Sequence, residues 1–167
     1  MSPVASTSGL RVRPGDPIPS VGLRATDGFL LNLRSFAGKQ PAIIVFFAGP
    51  SLSGAGRERG DEMAEALKAA HARLERAGVA LVGVTTDSET QQRAYVDTLA
   101  LPFLLFCDER RTAAELLGVP LREVRGNINA QPTAFAVSRE GEIVDIVEDA
   151  QPRGLIARLL ESINPPE

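Results

Sequence analysis

One thiol, one histidine and a loop rich in glycine and serine are the residues of this 167-residue chain whose types and spacing bear on chemistry. Cys107 follows the apolar run Phe103-Leu-Leu-Phe. That places its sulfur at the C-terminal end of an expected parallel strand, the edge along which open α/β sheets hold ligands. A thiol attacks only as thiolate. Asp108 raises the thiol pKa if both side chains point the same way, and Arg110 and Arg111 act against that. The competing reading is a buried packing residue, since free cysteine is among the most buried residue types.

The segment from Ala48 to Gly60 reads AGPSLSGAGRERG. A Gly/Ser-rich turn leading into a helix exposes unpaired N–H groups and a positive dipole end. Pro50, Ser51, Ser53, Gly54 and Ala55 therefore form a candidate small-molecule or anion site, to which Arg57 or Arg59 could add charge for a carboxylate. The loop lacks the Gly-Lys-Ser/Thr ending of a phosphate loop. Serine nucleophiles need a base alongside, and the single histidine, His71, falls among alanines inside the following helix. Ser51 and Ser53 read instead as loop and capping residues. One Cys and one His at unrelated positions make no usual metal-ligand set, and no cofactor is implied.

The elements that must position these groups alternate between strand and helix. Leu23–Leu33 alternates apolar residues around Asp27-Gly28, a hairpin signal. The runs AIIVFF (42–47), VALVGVTT (79–86) and FLLFC (103–107) are short, apolar and β-branched, as buried central strands are. Thr85 and Thr86 then end a strand beside Cys107, and with Asp87 and the 48–60 loop they are expected to line a cleft. Met63, Leu67, Ala70 and Leu74 recur at helical spacing between about Glu58 and Gly78. Ser88 and Gln91 form a capping-box pattern, and Asp108 stands before a short helix near TAAELLGV. Thr133–Val147 reads as two strands turning at Glu140-Gly141. A last helix places Leu155, Ile156, Leu159, Leu160 and Ile163 on one face.

Composition bounds the rest. The chain is 44% hydrophobic, which suits one compact domain. We expect a tail over residues 1–12 and a domain over 13–164. Lys and Arg number 18 against 21 Asp and Glu, with no basic stripe, so no nucleic-acid partner is expected. No apolar run reaches the roughly 20 residues of a membrane helix, and the start has no continuous apolar core like that of a secretory signal. The chain is expected to be cytoplasmic.

The order of these segments resembles the redoxin branch of the thioredoxin fold, the alkyl hydroperoxide reductase and thiol-specific antioxidant family, from about Gly15 to Ile163. GDPIPSVGLRATDGFLLNLRSFAGK is similar to the family's opening segment, AIIVFFAG to the strand before its active site, VALVGVTTDS to its second strand, and LPFLLFCDERRTAAELLGV to its third strand and helix. The resemblance implies an α/β, thioredoxin-like fold: a central mixed β-sheet flanked by helices, with an N-terminal β-hairpin extension. QPTAFAVSREGEIV resembles the strand pair that carries a cis-proline, which makes Pro132 the candidate here.

The family's peroxidatic cysteine follows a proline and a threonine in the loop after the first core strand. One alignment puts its position on Ala55; counting back from VALVGV moves it towards Arg59 or Gly60. No register supplies a cysteine. The peroxide-binding arginine of the family lies near Pro132 and is absent there, with Arg125 the nearest substitute. Alanine, serine and glycine cannot form a sulfenic acid.

Two readings follow. The first is a peroxiredoxin-like protein without the usual catalytic cysteine, serving as a non-redox binding module or cofactor-free enzyme that uses the redoxin cleft. The alternative is a thiol-dependent antioxidant oxidoreductase that reduces peroxide with Cys107 and an external thiol. The resemblance also implies a homodimer, for which Phe36 and Leu52 are candidate surface positions.

Overall fold

A computed structural model describes residues 9–36 and 40–164. Its main sheet has seven strands in the order β2-β1-β5-β4-β3-β8-β9. β3 (Ala42–Phe46), β4 (Ala80–Thr85) and β5 (Leu104–Cys107) lie parallel at its centre. β8 (Thr133–Val137) and β9 (Ile143–Glu148) extend one side antiparallel, and the hairpin β1 (Gly22–Ala25) and β2 (Leu30–Asn32) the other. The parallel strands need crossovers, supplied by α1 (Gly54–Arg76) and α2 (Glu89–Leu99). This is the mixed, helix-flanked sheet with an N-terminal hairpin implied by the sequence.

β3 is buried throughout, and its side chains divide by the two-residue period between two cores. Ile43 and Val45 face Met63, Leu67 and Leu74 of α1 and Leu155, Ile156 and Leu159 of α4 (Leu155–Ile163). Ile44 and Phe46 face Ile18 and the α3 (Thr112–Leu117) residues Ala113, Ala114 and Leu117. Because β3, β4 and β5 run in one direction, the loops after them meet at one edge, where the candidate residues lie.

Local chemistry explains the helix starts. Ser88 Oγ accepts from the Gln91 N–H at 3.2 Å and Gln91 Oε1 from the Ser88 N–H at 2.9 Å, the expected capping box. The buried Asp108 carboxylate accepts from the N–H groups of Ala113 and Ala114, each at 2.9 Å. Burial raises its pKa, and these hydrogen bonds pull the other way. Asp108→Ala strands two buried donors at the start of α3, so it should lower stability by about 2 kcal/mol. A shift of the urea midpoint at constant slope would show it; an unmoved midpoint would mean that the cap does not hold α3.

The structure departs from the sequence reading at several places. α1 begins at Gly54 rather than near Glu58: Gly54 takes φ 65° at the helix start, and Gly60 within the helix is required by the close approach of the Ala48 carbonyl. A separate ribbon, β6 (Leu121–Val124) and β7 (Asn127–Ala130), was not foreseen. Its two-residue turn holds Arg125 and Gly126 at φ 51° and 85°, a primed-turn geometry that Arg-Gly does not advertise. Among the described residues every peptide bond is trans, so the cis bond expected at Pro132 is absent. Here the Pro132 carbonyl accepts from the Ala150 N–H at 2.9 Å in the trans geometry.

Residues 1–8 of the expected tail lie outside the described residues, but residues 9–12 are not a tail. Leu10 and Val12 pack on the second core, and the Arg11 N–H donates to the Leu117 carbonyl at 2.8 Å. Phe36, a candidate dimer surface residue, instead meets Phe106 edge-on, with ring centres 5.3 Å apart.

Candidate functional site

Past β3 the chain is pinned between α1 and the end of β4 by two close backbone approaches. A Cβ at Gly60 would stand 2.0 Å from the Ala48 carbonyl oxygen, and one at Gly49 would stand 1.8 Å from Asp87 Oδ2. Hydrogen bonds complete the clamp. The Ser51 N–H donates to Asp87 Oδ1 at 2.8 Å, and Arg57 donates to the Pro50 carbonyl at 3.3 Å and to Asp61 Oδ1 at 3.1 Å. The Tyr95 hydroxyl donates to the same Asp61 oxygen at 2.5 Å, beneath the Arg57 guanidinium at 5.4 Å from the ring centre. Burial first, and then this bond to Asp61, keep the phenol protonated far above its ordinary range. Arg57 is thus committed to holding the loop.

Beyond the clamp lies a cleft of about 230 Å³, between the start of α1 and the β6–β7 ribbon. Phe47, Leu52, Val124, Ala130 and Pro132 give it apolar walls. Ser53, Ala55 and Gly56 bring the first turn of α1 to it, and its charged lining residues are Arg59 and Arg122. Leu52, offered above as a dimer surface, belongs to this lining. Asn129 also lines the cleft, is 1% exposed, and has an Nδ2 with no partner; its Oδ1 accepts from the Ser51 hydroxyl at 3.4 Å. No thiol lines the cleft.

Cys107 lies two strands away in a second, more open depression of about 490 Å³, lined also by Arg24, Glu89, Glu109 and Arg110. Arg24 of β1 is its cross-strand partner. The thiol is partly exposed and donates to the Asp87 carbonyl at 3.3 Å. Burial pushes its pKa up; a backbone hydrogen bond at Glu109 acts against this, and the charges of Glu109, Glu89 and Asp108 add to it. At neutral pH it is therefore a protonated, slow thiol. The single cleft foreseen from the sequence is two depressions, with the buried Asp87 between them. Its carboxylate serves the 48–60 loop, its carbonyl serves Cys107, and its Oδ2 has no partner.

The other candidates are scattered. Thr85 Oγ1 is buried and accepts from Gln92 Nε2 at 2.9 Å, while Thr86 Oγ1 donates to the Ile128 carbonyl at 2.6 Å and ties β4 to the ribbon. Arg125 sits exposed at the ribbon's tip and does not line the cleft. Gly54, at φ 65°, starts α1, and His71 stands 3.7 Å from Glu75 on the same helix. The residues missed from the sequence are Phe47, Arg122, Val124, Asn129, Ala130 and Gln131. Apart from Phe47 they come from the ribbon and the residue after it, which no periodicity announced.

Comparison with known proteins places this geometry. Peroxiredoxin Q, chloroplastic, of Populus jackii is 27% identical over 150 residues, covering 90% of this chain and 66% of its own length. The Triticum aestivum protein of the same name is 25% identical over 154 residues, covering 92% and 67%. The chain thus spans about two thirds of these relatives. Among solved structures, peroxidoxin BcpB of Mycobacterium tuberculosis superposes with TM-score 0.77 at 17% identity, covering 91% of this chain and 96% of that one. Xanthomonas campestris peroxiredoxin Q gives 0.73 at 17%, covering 93% and 97%. The fold is that of peroxiredoxins. The AhpC/TSA family matches residues 14–146, and the chain belongs to that family.

Proposed function

We propose that the chain is a peroxiredoxin-type oxidoreductase whose working thiol is Cys107. The observation that carries this reading is the position of its one cysteine, at the C-terminal end of β5 in an open depression bordered by Arg24 and Arg110. Family membership and the named relatives support the reaction class. The thiolate sulfur attacks one peroxide oxygen, the O–O bond breaks as the S–O bond forms, and the departing oxygen leaves as water or alcohol after taking a proton. An external thiol then condenses with the sulfenic acid to a mixed disulfide, releasing water. A second external thiol frees Cys107 and leaves as the disulfide. With one cysteine the chain has no resolving partner of its own, so both reducing equivalents come from outside.

A second reading rests on the thiol-free cleft at Ala55, a formed site beside which no sulfur stands. There the chain would bind a small molecule without a redox step. Turnover of hydrogen peroxide with dithiothreitol separates the two. The first reading expects consumption above the buffer rate in the native protein and none in Cys107→Ser; equal rates in both proteins would leave only the second.

A further inference from the structure

We infer that the cleft between α1 and the β6–β7 ribbon is a binding site for a small organic anion, a carboxylate with a short apolar tail. The inference holds whichever way the thiol question falls, because Cys107 does not line this cleft.

Three independent features point to negative charge. α1 is 23 residues long, its N-cap Ser53 makes no side-chain cap, and no acid stands in its first turn. The N–H groups of that turn and the positive end of the helix dipole are therefore uncompensated where Ser53, Ala55 and Gly56 meet the cleft. Among the described residues, the charged groups of the lining are the two arginines, Arg59 and Arg122, and no acid joins them; Asp87, the nearby buried carboxylate, is not part of the lining. The Asn129 amide is held by Ser51 at its oxygen, and its Nδ2 is a buried donor with no partner among the described residues. Buried polar groups are nearly always satisfied, so an unmet donor on the wall of a cleft marks where an acceptor belongs.

The remaining walls set the rest of the ligand. Phe47, Leu52, Val124 and Pro132 offer carbon and no charge. A volume of about 230 Å³ is roughly that of seven or eight water molecules at about 30 Å³ each. That admits a carboxylate with a tail of a few carbons. The charged head belongs at the start of α1 and the tail against Leu52 and Val124.

Calorimetric titration of the full chain with hexanoate tests this, with 1-hexanol as the uncharged control of the same tail. The variant is Ala55→Asp, which sets a fixed carboxylate at the start of α1. An acid there favours the helix, so folding is preserved and the melting temperature reports on it. Hexanoate should bind at millimolar concentration or below, at least about tenfold more tightly than hexanol. Ala55→Asp should weaken it by about tenfold with no fall in melting temperature, and Arg122→Gln should weaken it in the same direction. Hexanol binding as well as hexanoate, no binding of hexanoate at millimolar concentration, or unchanged affinity in Ala55→Asp would each overturn the proposal. Repeating the titration on Cys107→Ser, where the same affinity is expected, keeps the result separate from the fate of the thiol.

Discussion

The rate of peroxide consumption should climb steadily with pH from pH 7 through pH 8.5, more steeply at pH 8.5 than for an ordinary cysteine, and should vanish in Cys107→Ser. Only the thiolate attacks, and below the pKa its fraction grows tenfold per unit. An ordinary cysteine, with a pKa near about 8.5, begins to level there. Cys107 lies higher, because burial and then the charges of Glu109, Glu89 and Asp108 disfavour the anion. Its thiolate fraction at pH 7 is therefore below that of a free thiol. Removing one of those charges should act the opposite way: Glu109→Gln lowers the thiol pKa and should speed the reaction at pH 7 by about two- to threefold, the scale of one partly screened charge. A flat profile between pH 7 and pH 8.5 would mean that the thiol is already ionised and that its surroundings do not hold the proton on it.

Two glycine substitutions in one helix should have opposite effects on stability. By helix propensity alone, Gly56→Ala and Gly60→Ala each gain up to about 1 kcal/mol. At Gly56 the new Cβ meets the end of the Leu52 side chain at 2.9 Å, which can turn away, so the gain survives. At Gly60 it meets the Ala48 carbonyl at 2.0 Å, a backbone atom in the pinned loop. Relief there requires α1 to move off the sheet or the loop to leave its place. Overpacking of this kind costs about 1–3 kcal/mol beyond the propensity gain, or a melting temperature lower by about 3–10 °C. Thermal melts of the two variants would show it. A Gly60→Ala protein as stable as the parent would mean that Ala48 does not approach the helix, and the cleft described above would lose its floor.

Much of the frame was legible in the residues because each element carried its own signal. The apolar runs at 42–47, 79–86 and 103–107 marked the three parallel strands, and Ser88 with Gln91 marked the start of α2. The site was less legible. Its ribbon is made of short, partly charged strands joined by Arg125-Gly126, where no alternation or familiar turn dipeptide stands out. Asn129 and Arg122 therefore gave no sign that they face Ala55. Asp87 shows the second reason. Adjacent strands suggested one cleft from the 48–60 loop to Cys107. Asp87 is buried between them and bonds to both sides, which splits the edge into a thiol-free cleft and a thiol-bearing depression. A division of that kind follows from where one side chain turns, which spacing alone does not encode.

The most direct test of a thiol moved from the start of α1 to the end of β5 is the intact mass of the native protein after one equivalent of hydrogen peroxide at pH 8. A trap for sulfenic acid should be present, and Cys107→Ser should be treated in parallel. The account predicts that the native protein gains one molecule of trap, bonded to the Cys107 sulfur with the sulfenic oxygen lost as water, while peroxide falls in proportion and the variant stays unchanged. Peroxide left untouched by the native protein, with Cys107 still a free thiol, would contradict it.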